Sequence, residues 1–263
     1  MNILVFIKQV ADAEARILVS GDNKTLEIEN KYAINFFDEF AVEEAIRIKE
    51  QMKESQVTVC TYGPPRVVEA LRTAIAMGAD RAFLIDSTTC ENDDPLIISN
   101  ILARFAKKEN FDLILCGRQA IDDENANIGA MVAEFLNIPH VSWITKLEVL
   151  DENKARTENE IEGGKRVLEV ILPALFTTQK GLNEPRVPLI TGVMKAMRTE
   201  IPTIDPTTLG IPREALGKDA SKVTVLSYES PARRPPVKII EGATPEEKAK
   251  KLMYVLKEDA KVL

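Results

Sequence analysis

The chain is expected to fold as an α/β protein: a parallel sheet with helices on both faces, then a β meander and an extended C-terminal arm. Three observations predict this. Short apolar runs alternate with amphipathic helical stretches four times within the first 136 residues. Beyond residue 140 three strand-like segments follow one another around turn glycines. From Ile201 to Val237 prolines recur at 202, 206, 212, 231, 235 and 236, a density that helices and central strands do not tolerate. The expected division is therefore 1–200 for the sheet and meander and 201–263 for the arm.

The elements follow in order. Ile3–Ile7 is a compact apolar run, the mark of a strand buried on both faces. Arg16–Glu29 holds the turn signal Ser-Gly-Asp-Asn between short β-like pieces, which predicts a hairpin excursion. Asp38–Gln51 sets Phe40, Ala41, Ala45, Ile46 and Ile48 on one helical stripe. Val57–Cys60 is a second strand, a helix runs near Val67–Met77, and Gly78 stops it. Ala82–Ile85, Pro95–Lys107 and Phe111–Cys116 supply the third strand, third helix and fourth strand. A helix near Asn125–Leu136 follows a polar loop. Ile144–Leu150, Ala155–Glu162 and Arg166–Leu172 make the meander, with Gly163-Gly164 at a turn. The stretch from Gln179 to Arg198 is punctuated by Pro and Gly and is not expected to stay regular for long. A last amphipathic helix is expected from Pro245 to Val255. Crossovers of one hand make the sheet parallel, and ligands of such sheets sit beyond the carboxyl ends of the strands. That rule selects the loops after Ile7, Cys60 and Cys116.

Bulk properties exclude several functions. With 263 residues, 45% of them hydrophobic, the chain can bury one sizeable core. A net charge of −7 leaves no electrostatic basis for nucleic-acid binding. No apolar run reaches the roughly 18 residues of a membrane span, so no membrane insertion is expected. The N-terminal apolar run lacks a preceding basic region and reads as a strand. Cys60, Cys90 and Cys116 have no C-x-x-C spacing; Cys60 and Cys116 end apolar runs as core residues, and a reduced, cytoplasmic setting is expected.

Catalytic chemistry is conspicuous by absence. His140 is the one histidine and sits in an apolar stretch, where a structural role is expected. There is no G-x-x-x-x-G-K-[ST] loop, no G-x-G-x-x-G and no metal-ligand cluster. The stretch Gly117–Gly129 is the best binding candidate. It leaves a buried strand and enters a helix, whose N-terminal N–H groups suit a phosphate. Gly117 permits close backbone approach, and Asn125 and Asn127 offer side-chain donors. The plainer reading makes Asp122, Asp123 and Glu124 a solvated loop and a helix cap. Asn35-Phe36-Phe37-Asp38 opens the first helix at the same sheet edge, with Asn35 as its cap. Tyr62-Gly63-Pro64 closes the third side of the crevice.

The runs AVEEAIRIKE, TYGPP, ALRTAIAMGADRA, GRQAIDDENANIG and LPALFTTQKGLNEPRVPLITGVMKA, in this order, resemble the beta subunit of electron transfer flavoproteins. The resemblance covers residues 1 to about 210. It implies a Rossmann-like, adenine-nucleotide-binding domain paired with a larger alpha subunit that holds the redox FAD. It implies a buried AMP, or in bifurcating relatives a second FAD, at Phe6, Asn35, Tyr62, Ala120, Asp123, Asn125, Ala126, Asn127 and Ile128. Phe37 matches an aromatic position near the alpha-subunit flavin, while Ala13 stands where some relatives carry a tyrosine. Ala126-Asn127-Ile128-Gly129 leans toward the bifurcating pattern; Asp123 and the LNEPR and MKA runs lean toward AMP, the expected ligand. Leu189 and Ile190 match a loop that docks into acyl-CoA dehydrogenases. Lys195 follows the family's basic run, thinned here by Met197 and Thr199. Glu160 matches a carboxylate that steadies the mobile flavin domain. The implied activity is electron carriage from such a dehydrogenase to a downstream redox acceptor, with no acid/base residue supplied by this chain. Two other functions stay open: a bifurcating subunit working with NADH, and a stand-alone nucleotide-binding protein of the universal-stress type.

Overall fold

The computed structural model describes residues 1–263 apart from Glu91, Arg233, Pro235 and Leu263. Pro235, one of the prolines read as arm, thus lies outside the described residues. The chain divides into two compact units, Met1–Ser227 and Tyr228–Leu263.

In the first unit the strands are β1 (Asn2–Phe6), β2 (Gln9–Ala11), β3 (Ile17–Val19), β4 (Leu26–Ile28) and β5 (Tyr32–Ile34). Then come α1 (Phe36–Gln51), β6 (Gln56–Gly63), α2 (Val68–Met77), β7 (Arg81–Asp86), α3 (Pro95–Ala106), β8 (Leu113–Gly117) and α4 (Ile128–Leu136). The remainder is β9 (His140–Asp151), β10 (Lys154–Ile161), β11 (Gly164–Ile171), β12 (Ala174–Thr178), α5 (Ile190–Arg198) and β13 (Thr203–Ile204). The main sheet has nine strands in the order β11-β10-β9-β12-β8-β1-β6-β7-β13. Its half from β12 to β13 is parallel throughout. β3 and β4 pair as the expected hairpin.

The period of two in β1 explains why the sheet is covered on both sides. Ile3 and Val5 face one core with Val57, Val59, Leu113 and Leu115, roofed by α1 and α2. Leu4 and Phe6 face the other with Cys60, Ile114 and Cys116, roofed by α3 and α4. Every residue from Ile3 to Ile7 is at most 6% exposed. Polar atoms would be stranded on either face, so these runs are unbroken by charge. Gly78 ends α2 with φ +139°, a conformation that a side chain would strain.

The meander is not a separate layer. β9 pairs with β10 and β10 with β11 antiparallel, but β12 joins β9 to β8, so one sheet continues through both halves. The sequence expectation lacked β12, whose residues Ala174–Thr178 are all buried. It also lacked α5 in the Gln179–Arg198 stretch. That helix forms because its small residues fit against α2: a Cβ on Gly192 would lie 2.3 Å from the Ala76 carbonyl oxygen. Arg72 donates to the Ala196 carbonyl, and Ala196 is buried. Residues 201–227 pack on the same unit, with β13 beside β7 and Leu209, Ile211 and Leu216 buried. In the second unit α6 (Pro245–Tyr254) is the expected amphipathic helix, capped by Thr244 and followed by a π-helical turn. No helix among the described residues is long and apolar enough to cross a membrane.

The AVEEA and LNEPR runs, far apart in sequence, meet here. Asn183 donates to the Phe40 carbonyl at 3.0 Å and to Glu44 at 2.8 Å. Arg186 binds Glu43 with Nε and Nη2 at 2.8 and 3.0 Å, and Glu50 with Nη1 at 2.6 Å. The Glu43 side chain is only 6% exposed. Removing the guanidinium strands a buried charge, which costs about 3–5 kcal/mol when both partners are enclosed; the exposed flank of Arg186 places this case at the lower end. Arg186→Met is therefore expected to lower unfolding free energy by about 3 kcal/mol in urea titrations. Adding Glu43→Gln is expected to restore part of that loss, since the stranded charge is gone.

Candidate functional site

The ends of the parallel strands β1, β6 and β8 lie on one side of the sheet, and the loop of residues 118–127 leaves β8 and reaches Lys8 beyond the end of β1. It is longer than expected: the helix starts at Ile128 rather than near Asn125. Glu124 and Ala126 adopt φ +51° and +54°, which break the helical path before it can begin.

Two buried side chains hold this loop in place. Asn35, 1% exposed, donates to the Gln119 carbonyl at 2.9 Å and accepts from the Ile121 N–H at 3.0 Å. It occupies the N-cap position of α1, but its side chain does not cap that helix as expected. Its amide is spent on a loop whose backbone groups would otherwise be buried without partners. Asp38 ties β1 to β8: Oδ2 accepts from the Lys8 N–H at 2.7 Å and Oδ1 from the Gly117 N–H at 2.8 Å. A Cβ on Gly117 would stand 2.3 Å from that Oδ1, so glycine is needed for close approach to α1 rather than for a special φ.

The loop carboxylates are partly neutralised. Lys8 Nζ reaches Asp122 at 2.8 Å and Asp123 at 3.1 Å. Burial works against the Lys8 charge, but these two carboxylates outweigh it and raise its pKa. Asp123 also accepts from the Asn125 N–H at 3.2 Å. What stays open is the head of α4. Its first i→i−4 bond runs from Met131 to Asn127, so the N–H groups of Ile128, Gly129 and Ala130 have no helical partner. No side chain caps them, and the Asn127 Oδ1 is buried without a hydrogen-bond partner. Gly129 allows α4 to sit on the sheet: a Cβ there would lie 2.5 Å from Thr177 and 3.0 Å from Cys116.

The other expected contacts distribute unevenly. Gly117 closes β8, and Ala120, Asp123, Asn125, Ala126, Asn127 and Ile128 belong to this loop and the helix it feeds. The Phe6 ring is in the core at 4% exposure, which leaves only its main chain to a ligand. Tyr62 is engaged elsewhere: its hydroxyl meets Cys90 Sγ at 2.8 Å and donates to the Asn92 carbonyl at 3.0 Å. Burial, then the Cys90 contact, pushes its pKa up. Glu160, exposed on β10, lies three strands from β8, and the exposed Leu189, Ile190 and Lys195 lie at the α5 surface. Those four form no part of the crevice. Cys60 and Cys116 are buried core thiols as expected, and burial raises their pKa values, so neither offers a ready thiolate. His140 opens β9, and burial lowers its pKa, keeping it neutral.

Sequence reasoning missed a second group at this edge. The Arg118 guanidinium lies 4.7 Å from the Phe37 ring centre and 4.8 Å from that of Trp143. Trp143 sits at an irregularity in β9 with φ +58°, a conformation costing about 1–2 kcal/mol for a residue of this size. Its backbone N–H donates to Thr177 Oγ1 at 2.9 Å. Only the single tryptophan and the arginine next to Gly117 were visible as signals, and nothing in spacing joins residues 118 and 143.

Burial drives the Asp38 carboxyl up to about 7, against the lowering effect of the Lys8 and Gly117 N–H groups. An unfolded aspartate ionises near 3.8. Between these values the folded state binds the extra proton, so stability falls as pH rises from about 4 to about 7, by about 1.4 kcal/mol per pH unit. Asp38→Asn is expected to be less stable at pH 5, because its NH₂ faces an N–H donor, and to lose that slope. Urea titrations of both proteins at pH 5 and 7 check this; parallel profiles would contradict it.

Comparison with known proteins gives the family. The electron transfer flavoprotein domain model matches residues 24–209. A human protein named electron transfer flavoprotein subunit beta is 37% identical over 237 residues, covering 89% of this chain and 90% of its own length. The protein of that name from Bacillus subtilis (strain 168) is 36% identical over 265 residues, covering both chains fully. Another from Bradyrhizobium diazoefficiens is 38% identical over 202 residues, covering 76% of this chain and 80% of its own. With a family model over most of the chain and full-length relatives above 30% identity, this chain belongs to the electron transfer flavoprotein beta-subunit family.

Proposed function

We propose that the chain works as the beta subunit of a heterodimer with an electron transfer flavoprotein alpha subunit, in the cytoplasm, with AMP bound in its own crevice. The observation that carries the AMP reading is the uncapped head of α4 beside the buried, unpartnered Asn127 Oδ1. Three free N–H groups and the positive end of the helix suit a phosphate, and the amide suits an adenosine donor group. The pairing of Lys8 with Asp122 and Asp123 relieves the repulsion that three loop carboxylates would exert. The residues present therefore fit a nucleoside monophosphate. Contact runs largely through main chain, with Ala120, Ala126 and Ile128 leaving room and Asn125 and Asn127 reaching in.

FAD, held mainly by the alpha subunit, supplies the redox chemistry when bound. This chain's own residues bind, orient and dock. Phe37, at the start of α1, faces the flavin side. Leu189 and Ile190 are 74% and 80% exposed, and Val193, Met194 and Met197 extend the apolar surface along α5. Spacings of three, four and seven residues from Ile190 put them on one stripe. Such a stripe, seated on α2 through Gly192 and Ala196, suits a groove on an acyl-CoA dehydrogenase-type flavoenzyme. Lys195 adds a cation beside it. Glu160 steadies the flavin-bearing domain, and residues 201–263 contact the alpha subunit. Electrons then pass to a further redox acceptor, each contact being weak enough to exchange.

Two substitutions test these assignments. Asn127→Asp places a negative charge at the phosphate and is expected to cut the AMP recovered after denaturation at least tenfold, with flavin retained. Wild-type AMP content in that variant would remove the site. Ile190→Ala is expected to slow flavin reduction by the dehydrogenase roughly 10- to 30-fold, the effect of losing a hot-spot side chain worth about 2 kcal/mol. Unchanged reduction rates would dismiss the docking stripe.

A further inference from the structure

We infer that Arg118, in cation–π contact with both Phe37 and Trp143, is the group through which this chain touches the reduced, negatively charged flavin ring of the assembled complex. The inference rests on the proposed heterodimer and adds a cationic contact to it. Arg118 has no carboxylate partner among the described residues. Three acids of this corner are engaged elsewhere: Asp122 and Asp123 with Lys8, and Asp38 with the Lys8 and Gly117 N–H groups. Its Nε is buried and has no hydrogen-bond partner. A guanidinium cannot shed its proton, so these unused donors are a standing cost unless something arrives to meet them.

The fold holds this cation by aromatic faces rather than by a counter-charge. The Phe37 and Trp143 rings lie 4.7 and 4.8 Å from the guanidinium. Cation–π contact fixes the group without neutralising it. The Trp143 backbone accepts a left-handed conformation to place its indole there, and the ring stays 44% exposed. Phe36, 41% exposed, stacks edge-on against Phe37 at 5.2 Å. The result is an open patch of aromatic rings around one unpaired cation, at the sheet edge where ligands of such folds gather. A free phosphate is better served by the N–H groups of α4. A planar, delocalised anion matches the patch, and a flavin that has taken electrons from the dehydrogenase is one. A cation beside that ring favours its reduced form and raises its potential.

The test uses the co-expressed heterodimer carrying wild-type, Arg118→Gln or Arg118→Lys chains, titrated by spectroelectrochemistry. Arg118→Gln is expected to weaken the preference for the reduced anion about tenfold, a shift of about 59 mV to more negative potential for one electron. Arg118→Lys, which keeps the charge, is expected to recover most of it. Trp143 is the only tryptophan of this chain, so it reports on the same patch. Its emission, isolated by difference against Trp143→Phe, is expected to be quenched in the flavin-loaded complex and restored when flavin is stripped. A Gln variant with the wild-type potential overturns the assignment, as does Trp143 emission that flavin leaves unchanged. A wild-type preparation that assembles no flavin-bearing heterodimer defeats the proposed function as well.

Discussion

The buried carboxylate of Asp38 is the joint on which the functional edge depends. It receives one N–H from the end of β1 and one from the end of β8, while its own helix leads away beneath the sheet. Gly117 must lack a side chain to let it in, and Asn35, three residues before Asp38, pins the start of the loop after Gly117 at Gln119 and Ile121. The end of β1, the start of α1 and the exit of β8 are thus one rigid corner. A loop of ten residues with three acids would otherwise sample many shapes; tied at this corner it presents one. The cost is a desolvated acid, offset by the N–H groups that meet it.

From that corner the molecule separates its tasks. The face toward β1 and α4 carries the free main-chain donors at the head of α4, the proposed seat of a phosphate. The face toward β9 offers Arg118 and its two rings. The apolar stripe on α5 is built independently, by Gly192 and Ala196 against α2, and the segment leading to it is clamped by Arg186 on Glu43 and Glu50. The carrier reading comes from the family: the chemistry of an electron transfer flavoprotein resides on a cofactor, and its proteins orient and release.

Much of this was legible in the sequence. The apolar runs at Ile3–Ile7, Val57–Cys60 and Phe111–Cys116 named the central strands, because a strand buried on both faces cannot hide its composition. Gly117 and the loop after it were found from the strand-to-helix rule alone. What stayed hidden depended on distant pairing. Ala174–Thr178 is a short strand whose place between β8 and β9 is set by the sheet. The Pro- and Gly-broken stretch before Arg198 became helical because α2 supplied a surface that small residues could approach. Asn35 looked like a helix cap, since its competing partners, Gln119 and Ile121, are more than eighty positions away. The cluster of Phe37, Arg118 and Trp143 has no sequence period at all.

In the proposed assembly this chain grips a nucleotide through its own main-chain donors, while the redox group is held jointly with another polypeptide. Co-expression with the alpha subunit, followed by denaturing release and a count of flavin and AMP per heterodimer, tests it most directly. One FAD and one AMP per heterodimer are expected. Two FAD and no AMP would contradict the assignment of the crevice, and a well-folded chain recovered alone without any nucleotide would contradict the whole.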